Sequence, residues 1–355
     1  METVFTFSRH ERKNIMKKIL ATFLLLLTLT APLFGFDNSD ISEASDPKNA
    51  SDSISDTSNG GIAADFEYSV IRDGTISIDK YIGNAAEVVI PDTIDGIPVT
   101  LILSYSFYKT SIKEVVIPET VTKIGEAAFR ECKSLEKVFL PSKLKEIHEC
   151  AFMDCESLYF IELPSSLEFI VSSTFDGCKS LKSLCIPPNC LANEGLLLLS
   201  NSGIETLELS EGITSIPNLS FAGMPFLKKL ILPTTLKEIG KGAISGCPNL
   251  EEIILPEGLE TIHSSAFAGN PKLTEITIPK SVRHICSNVI ANCESLEKVI
   301  FEGDAPDNIW YSDDPQNDEY FNLYMQDDHY IIYYKKEAQG FTSPTWYGYP
   351  TQEIE

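Results

Sequence analysis

A single spacing of 23 residues runs through most of this 355-residue chain and limits its fold more than any other feature. It is marked by a proline, or by one residue in its place, directly after a short apolar run. These reference positions are Pro118, Pro141, Pro164, Pro187, Ser210, Pro233, Pro256, Pro279 and Glu302, preceded by a longer turn that begins at Pro91. A 23-residue unit is too short to close a core of its own. The spacing therefore predicts a stack of turns that share one continuous core.

Apolar residues occupy fixed columns around each reference position. In the first full turn they are Val115 and Ile117 before Pro118, then Val121, Ile124 and Phe129 after it. The alternation before the proline has period 2 and predicts a short strand with one buried face. Proline ends this strand because it has no N–H to continue a hydrogen-bonded ladder.

The units KEVVIPETVTKIGEAAFREC and EEIILPEGLETIHSSAFAGN resemble the BspA-type bacterial leucine-rich repeat. The flanks FEYSVIRDGTISIDKYIGNAAEVVIPDTIDGIPVT and IIYYKKEAQGFTSPTWYGYP resemble that family too, so the resemblance covers most of residues 64–350. It implies a leucine-rich-repeat solenoid that is predominantly β, with short strands and irregular or 3-10 connections. We expect a curved, single-core array of about nine to ten turns with a cap at each end. The family's secreted or surface-bound members, several of which bind host matrix or cells, suggest a similar role, although function transfers less securely than fold.

The N-terminal region reads as an export signal followed by a linker. A basic start at Lys17 and Lys18 precedes an apolar run, which is typical of a signal peptide over residues 1–35, with Met16 as an alternative start. An uncleaved membrane anchor over residues 19–36 is the competing interpretation. Both place the repeats outside the cytoplasm. Residues 36–63 are rich in Ser and Asp, and we expect a disordered acidic linker there.

The remaining segments are an N-terminal cap over residues 64–100, the repeats over 101–302 and an aromatic-rich C-terminal cap over 303–355. We expect the aromatic tail to cover the end of the core, with a carbohydrate or protein contact as the alternative. The turn from Pro187 to Ser210 keeps its length but breaks the apolar pattern, which predicts a local irregularity in the stack.

Net charge is −23, which argues against nucleic acid and against an anionic membrane surface as partners. Nothing beyond the signal segment predicts membrane insertion.

Five of the nine cysteines fall in one column, fourteen residues after the reference position, where asparagine also occurs. We interpret this column as a small buried position whose weak donors meet the backbone of the turns, with free thiols. Its predicted members are Cys132, Cys155, Cys178, Asn201, Cys247, Asn270 and Cys293. A disulfide between stacked members, or between Cys185 and Cys190, is the alternative; the state of Cys150 and Cys286 is left open as well.

No residue pattern predicts catalysis, a metal or a cofactor. His148 and His263 share a column but lie five turns apart, roughly 24 Å at the spacing of neighbouring strands. His284 and Cys286 form a pair without third and fourth ligands. Phosphate loops, nucleophile elbows and metalloprotease helices are missing from the sequence, so we expect a protein that is not an enzyme.

The outward positions of the strands before the prolines carry the candidate binding residues. They form two apolar patches with acidic residues between them: Val116, Phe139, Phe160, Glu162, Glu208, Ile231, Ile254 and Ile300. Exposed apolar surface of this kind often marks an interaction site. Two alternatives are that such residues simply favour strands, and that the tail covers the second patch. The sequence predicts an adhesin-like protein that binds another protein, such as a host matrix or cell-surface protein. The alternative is a structural envelope or matrix component that associates with itself.

Overall fold

Most of the described 23-residue units contribute two short strands, of which only the first was predicted. The computed structural model describes residues 60–171, 173–191, 199, 201–286, 288–306, 308–310, 330–346 and 348–355. The predicted signal peptide and most of the predicted linker lie outside these residues. We call the strands that end at the reference position the pre-proline strands, and those that follow it the post-proline strands.

The pre-proline strands form parallel ladders along one side of the solenoid. Their bounds are Glu87–Val89, Glu114–Val116, Lys137–Phe139, Phe160–Ile161, Ser183–Ile186, Thr206–Leu209, Lys229–Ile231, Glu252–Ile253, Glu275–Ile278, Lys298–Phe301, Ile331–Lys335 and Tyr349–Ile354. Within the repeats, paired residues are 23 apart, as in Lys137 with Phe160. Strand pairing is interrupted after Phe160–Ile161 and again after Glu252–Ile253.

The post-proline strands form a second set of parallel ladders. Their bounds are Ile97–Ile102, Lys123–Ile124, Glu146–Ile147, Phe169–Ile170, Ser215–Ile216, Glu238–Ile239, Thr261–Ile262, His284–Cys286 and Asn308–Trp310. The remaining strands, Gly60–Ala63, Phe66–Val70, Ile76–Tyr81, Thr93–Ile94 and Thr345–Trp346, belong to the two ends of the stack.

The prediction of a solenoid built from repeats is confirmed, with about 11 turns where nine to ten were expected. The extra turns come from the ends, because Glu87–Val89 pairs with the first repeat strand and Ile331–Lys335 continues the ladder from Lys298–Phe301. The described connections are turns and bends that contain neither 3-10 nor α-helix. Among the described residues, no helix has the length and apolar character needed to cross a membrane.

Seven of the described turns bend at two residues with left-handed backbone, nine and thirteen after the reference position. The pairs are Ala127 and Glu131, Cys150 and Asp154, Ser173 and Gly177, Leu219 and Gly223, Gly242 and Gly246, Ser265 and Gly269, and Asn288 and Asn292. Between them, the N–H of the core residue donates to a carbonyl of the next turn, as Phe129 does to Ala151 at 2.8 Å. Backbone hydrogen bonds therefore join neighbouring turns at this bend, as they do along the pre-proline and post-proline strands.

The core is a column of stacked aromatic rings surrounded by aliphatic side chains. Phe107, Phe129, Phe152 and Phe175 are fully buried. The centroids of successive rings in this series are 4.7, 5.3 and 5.7 Å apart. The spacing of the rings matches the spacing between turns, so each turn places one ring on the ring before it.

One predicted boundary and one predicted buried residue differ from the structure. Gly60–Ala63, assigned to the linker, pairs antiparallel with Phe66–Val70, so the N-terminal cap begins before residue 64. Asn201, assigned to the buried Cys/Asn column, is exposed, and its N–H donates to Asp176 Oδ1 at 3.1 Å. Ser202 is buried instead, and its N–H donates to the carbonyl oxygen of the buried Leu199, just as the N–H of Cys132 donates to that of Phe129.

Candidate interaction surface

The pre-proline strands present alternate residues to solvent, since the column three residues before the reference position, which includes Val115, Val138 and Ile161, is buried. Val89, Val116 and Phe139 are direct cross-strand neighbours on three successive turns. Phe160 lies diagonally beside Phe139, with ring centroids 5.7 Å apart. We call these four residues the first apolar patch. Val89 was not predicted because the longer turn after Pro91 hides its register from the 23-residue count.

Exposure is greatest at the end of this patch and decreases along it. Val89 is 68% exposed, whereas Val116, Phe139 and Phe160 are half-buried. Neighbouring turns cover the sides of these three side chains and leave their outward surfaces in contact with solvent. The patch is therefore continuous over four turns.

The second predicted patch is divided by the structure. Ile231 and Ile254 lie on adjacent turns and are 37% and 71% exposed. Ile300 is half-buried and lies between Thr277 and Tyr333 in the ladder, so the turn of Thr277 separates it from Ile254. Ile231 and Ile254 form the second apolar patch, while Ile300 lies beside the strand of the C-terminal tail.

Glu162 and Glu208 lie on the same face between the two patches, and both are exposed. Glu208 is the cross-strand neighbour of Cys185 on one side and Ile231 on the other. Within the described part of the chain, neither carboxylate forms an ion pair. Many other glutamates do; Glu205 Oε2, for example, lies 2.8 Å from Lys228 Nζ. These two carboxylates are therefore available to a basic group outside the chain.

The post-proline face has a different character. Its outward residues include Lys123 and Glu146, whose Nζ and Oε2 atoms lie 3.6 Å apart, and His148, whose Nε2 lies 2.9 Å from the same carboxylate oxygen. Lys145 and Glu168 pair alongside them. The charged groups named here are paired within the protein, whereas the outward positions of the pre-proline face hold three exposed apolar side chains, Val89, Ile231 and Ile254.

The repeat columns and the solenoid agree with one protein family. The model of the BspA type leucine-rich repeat region, in six copies, matches residues 100–195 and 197–309. The chain belongs to the BspA-type leucine-rich-repeat family. Repeats of this kind generally serve as scaffolds for contacts between proteins rather than as enzymes.

Several solved structures are similar to this BspA-type protein. A leucine-rich repeat protein of T. pallidum is 31% identical, with 54% of this chain and 91% of that chain covered and a TM-score of 0.49. A leucine-rich cell surface protein of Faecalibacterium prausnitzii is 23% identical, covering 74% and 97%, with a TM-score of 0.33. The pneumococcal vaccine antigen PcpA is 20% identical, covering 79% and 94%, with a TM-score of 0.39. No curated protein matches the chain significantly.

The Cys/Asn column of the BspA-type repeats faces the core. The thiols of Cys132, Cys155 and Cys178 donate to the carbonyl oxygens of Phe107, Phe129 and Phe152 on the preceding turns, at 3.0, 3.1 and 3.2 Å. Cys247 and Cys293 make the same bond at 3.4 and 3.3 Å. Burial raises the pKa of Cys132, Cys247 and Cys293 to about 11. All nine cysteines are free in the structure.

Asn270 performs the same task with a stronger donor. Its Nδ2 donates to the carbonyl oxygens of Ile244 and Phe267, at 3.0 and 2.8 Å. Its Oδ1 accepts from the N–H of Cys247 at 2.8 Å. Most members of the column are therefore small side chains that can donate a hydrogen bond across the turn, with the buried Met224 as the exception.

The aromatic tail packs on the last turns of the stack. Phe341 lies 5.2 Å from Phe301 and 4.8 Å from Trp346, measured between ring centroids. Tyr330 stacks on Tyr349 at 5.2 Å. An apolar void of about 20 Å³ beneath Trp346 has room for a single water but not for a substrate. The side chains of Trp310, Tyr311, Tyr320, Phe321, Tyr324 and Tyr347 lie outside the described residues.

His148 and His263 do not share a site. His148 pairs with Glu146, whereas His263 Nε2 lies 2.7 Å from Glu238 Oε1. Among the described residues, no group of three or more His, Cys, Asp or Glu side chains is arranged to hold a metal ion. Sequence reasoning grouped Cys286 with His284, but the structure places the Cys286 thiol beside His263. The 23-residue interval between His263 and Cys286 is the signal that would have shown this.

Proposed function

We propose that the protein is an adhesin-like recognition module that binds another protein through its pre-proline face. The observation that carries this proposal is the first apolar patch, in which Val89, Val116, Phe139 and Phe160 form a continuous strip over four turns that is exposed at Val89 and half-buried at the other three residues. Contiguous apolar surface of this kind is uncommon on a protein with no partner. A parallel ladder also holds these side chains at fixed spacing, which favours a partner with a defined surface.

The chemistry of the face favours a protein partner. Burial of apolar surface drives most association between proteins, and the cores of their interfaces are enriched in aromatic residues. Glu162 and Glu208, which form no ion pair with any residue that the structure describes, favour basic side chains opposite them. The net charge of −23 disfavours nucleic acid and anionic lipid. The expected partner surface therefore carries basic residues between apolar ones.

A position outside the cytoplasm belongs to the same proposal. The basic start and apolar run within residues 1–35 support export by a signal peptide. Export to the medium or the cell surface would bring the pre-proline face into contact with host matrix or host cells. Fractionation of producing cells tests this part, and recovery of the protein only from the cytoplasm would contradict it.

Binding to a panel of immobilised matrix proteins tests the function itself. Collagen, laminin and fibronectin would be presented to the exported protein, together with intact host cells. Saturable binding to a matrix protein or to cells supports the proposal. A lack of saturable binding to the whole panel and to the cells would contradict an adhesin-like role.

Self-association is the second candidate, and the end of the pre-proline sheet favours it. Glu87–Val89 is the terminal strand of its sheet and pairs on one side only, with Glu114–Val116. An open strand edge can pair with another chain. Sedimentation velocity separates the two candidate functions. Self-association predicts oligomers that dissociate into monomers in the Val89→Lys variant. A parent protein that stays monomeric at high concentration would contradict self-association.

A further inference from the structure

Three side chains on successive turns of the post-proline face make up a thiol–imidazole–carboxylate arrangement. Glu238, His263 and Cys286 come from the turns that follow Pro233, Pro256 and Pro279. His263 Nε2 lies 2.7 Å from Glu238 Oε1, and His263 Nδ1 lies 4.0 Å from Cys286 Sγ. The carboxylate therefore orients the ring, while the other ring nitrogen faces the sulfur.

We propose that Cys286 is a nucleophilic thiol that forms mixed disulfides with small-molecule disulfides, with His263 as its proton acceptor and donor and Glu238 as the residue that positions the ring. The proposal does not depend on the adhesin-like function, because these residues lie on the other set of strands. It assigns a site of reversible covalent modification to the post-proline face.

The exchange balances with the groups present. His263 Nδ1 takes the thiol proton, and the sulfur of Cys286 attacks one sulfur of the disulfide. The S–S bond of the reagent breaks as the new S–S bond forms. The departing thiolate takes the proton from His263, so the products are one mixed disulfide and one small thiol.

The other cysteines lack this combination of features. The thiols of the Cys/Asn column bond to carbonyl oxygens in the core, where burial raises their pKa values and opposes thiolate formation. Cys185 is exposed, but its Sγ neighbour is Ser210 Oγ at 3.3 Å, which is not a base. Burial also raises the pKa of Cys150 to about 11.

The charged surroundings of His263 support its role. Once His263 has taken the proton, its hydrogen bond with the Cys286 sulfur, followed by that with Glu238, raises the pKa of His263 to about 9, although burial acts in the opposite direction, so the proton stays on the ring while the sulfur attacks. Of the other titratable groups on the adjoining turns, Lys237 pairs with Glu260 at 2.9 Å, and His284 precedes Cys286 on its own strand. Cys286 retains 6% exposure, which restricts access to small reagents.

The reaction of the full chain with dithiodipyridine, followed at pH 6.5 and mapped by mass spectrometry, tests the proposal. The Cys185→Ser background removes the exposed thiol. An unassisted thiol is only roughly 1% ionised at this pH, so we expect His263→Gln to slow modification of Cys286 at least about tenfold. Glu238→Gln should slow it less. The matched control is His148→Gln, because His148 occupies the same column and pairs with a glutamate but has no cysteine neighbour.

Two results would overturn the proposal. One is a Cys286 rate unaffected by His263→Gln in a variant whose melting curve matches the parent. The other is a rate that falls equally in the His148 control. Since the loss of His263 leaves the core intact, a folded variant is expected and the rate comparison decides the question.

Discussion

The Cys155 thiol lies 3.1 Å from the carbonyl oxygen of Phe129, 26 residues earlier in the chain. This carbonyl also accepts the N–H of Cys132, at 3.1 Å. One backbone oxygen thus joins a residue of its own turn to a thiol of the next. The recurrence of this bond at five cysteines explains why they follow the repeat without forming a redox site.

Substitutions in this column should separate its hydrogen bonds from its packing. We expect Cys155→Ala to lower the free energy of unfolding by about 1–2 kcal/mol, since one buried bond and one sulfur are lost. Asn270→Ala should cost more, about 2–4 kcal/mol, because it also leaves the N–H of Cys247 without its acceptor. Urea denaturation measures both. Cys185→Ala on the surface is the control, and equal effects at all three positions would contradict the assigned bonds.

The aromatic column predicts a larger loss. Phe152 is fully buried between Phe129 and Phe175, so Phe152→Ala should cost about 3–5 kcal/mol. Phe226→Ala is a suitable control because Phe226 is 49% exposed. Thermal or urea melts of the two variants make the comparison, and a near-neutral Phe152 variant would place this column outside the core.

The columns of the fold could be predicted because each turn repeats the same burial. One count of 23 residues places Val138 inward and Phe139 outward, and the structure agrees. The count could not identify Ser202 as the buried residue of the turn after Pro187. The buried position moves there by one residue, from Asn201 to Ser202, while the turn keeps its length of 23 residues. The second strand of each unit was missed because only two residues, such as Lys123–Ile124, adopt strand geometry.

At the two left-handed positions of one turn, we expect one substitution to destabilise the protein and another to stabilise it. Gly223 has a φ of 69° and open space where a Cβ would lie, so Gly223→Ala should cost about 1 kcal/mol through backbone conformation alone. Leu219 has a φ of 59° and is 48% exposed, so Leu219→Gly should be stabilising by up to about 1 kcal/mol. Urea midpoints of the two variants test this. A stabilising Gly223→Ala would contradict the backbone assignment.

The His263 contacts predict a dependence of stability on pH. The pKa of His263 in the folded protein is about 9, above the 6.5 of a free imidazole. The contribution of its contacts should therefore be complete below about pH 6.5 and disappear as the pH rises through 9. The difference in urea midpoint between the parent and His263→Gln should be largest at pH 6 and smallest near pH 10. A difference in urea midpoint that increases with pH would contradict the raised pKa of His263.

The candidate surface could be predicted only in part. Alternation within the strands identifies Phe139 and Ile254 as outward residues from the sequence alone. Whether outward residues on different turns adjoin depends on the pairing of strands, and that pairing separates Ile300 from Ile254 while bringing Val89 to Val116. The contact between His263 and Cys286 likewise joins two turns, so a search for neighbouring motif residues along the sequence did not find it.

Charge substitutions on the two faces of the solenoid test whether the pre-proline face binds the partner. Phe139→Glu with Phe160→Glu places two charges in the first apolar patch, while Phe169→Glu places one on the post-proline face, where Phe169 is also half-buried. Titration of each variant against the matrix protein or cells that bind the parent gives the comparison. We expect the double variant to lose binding at least about a hundredfold with an unchanged melting curve, while Phe169→Glu binds like the parent. Full binding by the folded double variant would contradict a binding role for the first apolar patch.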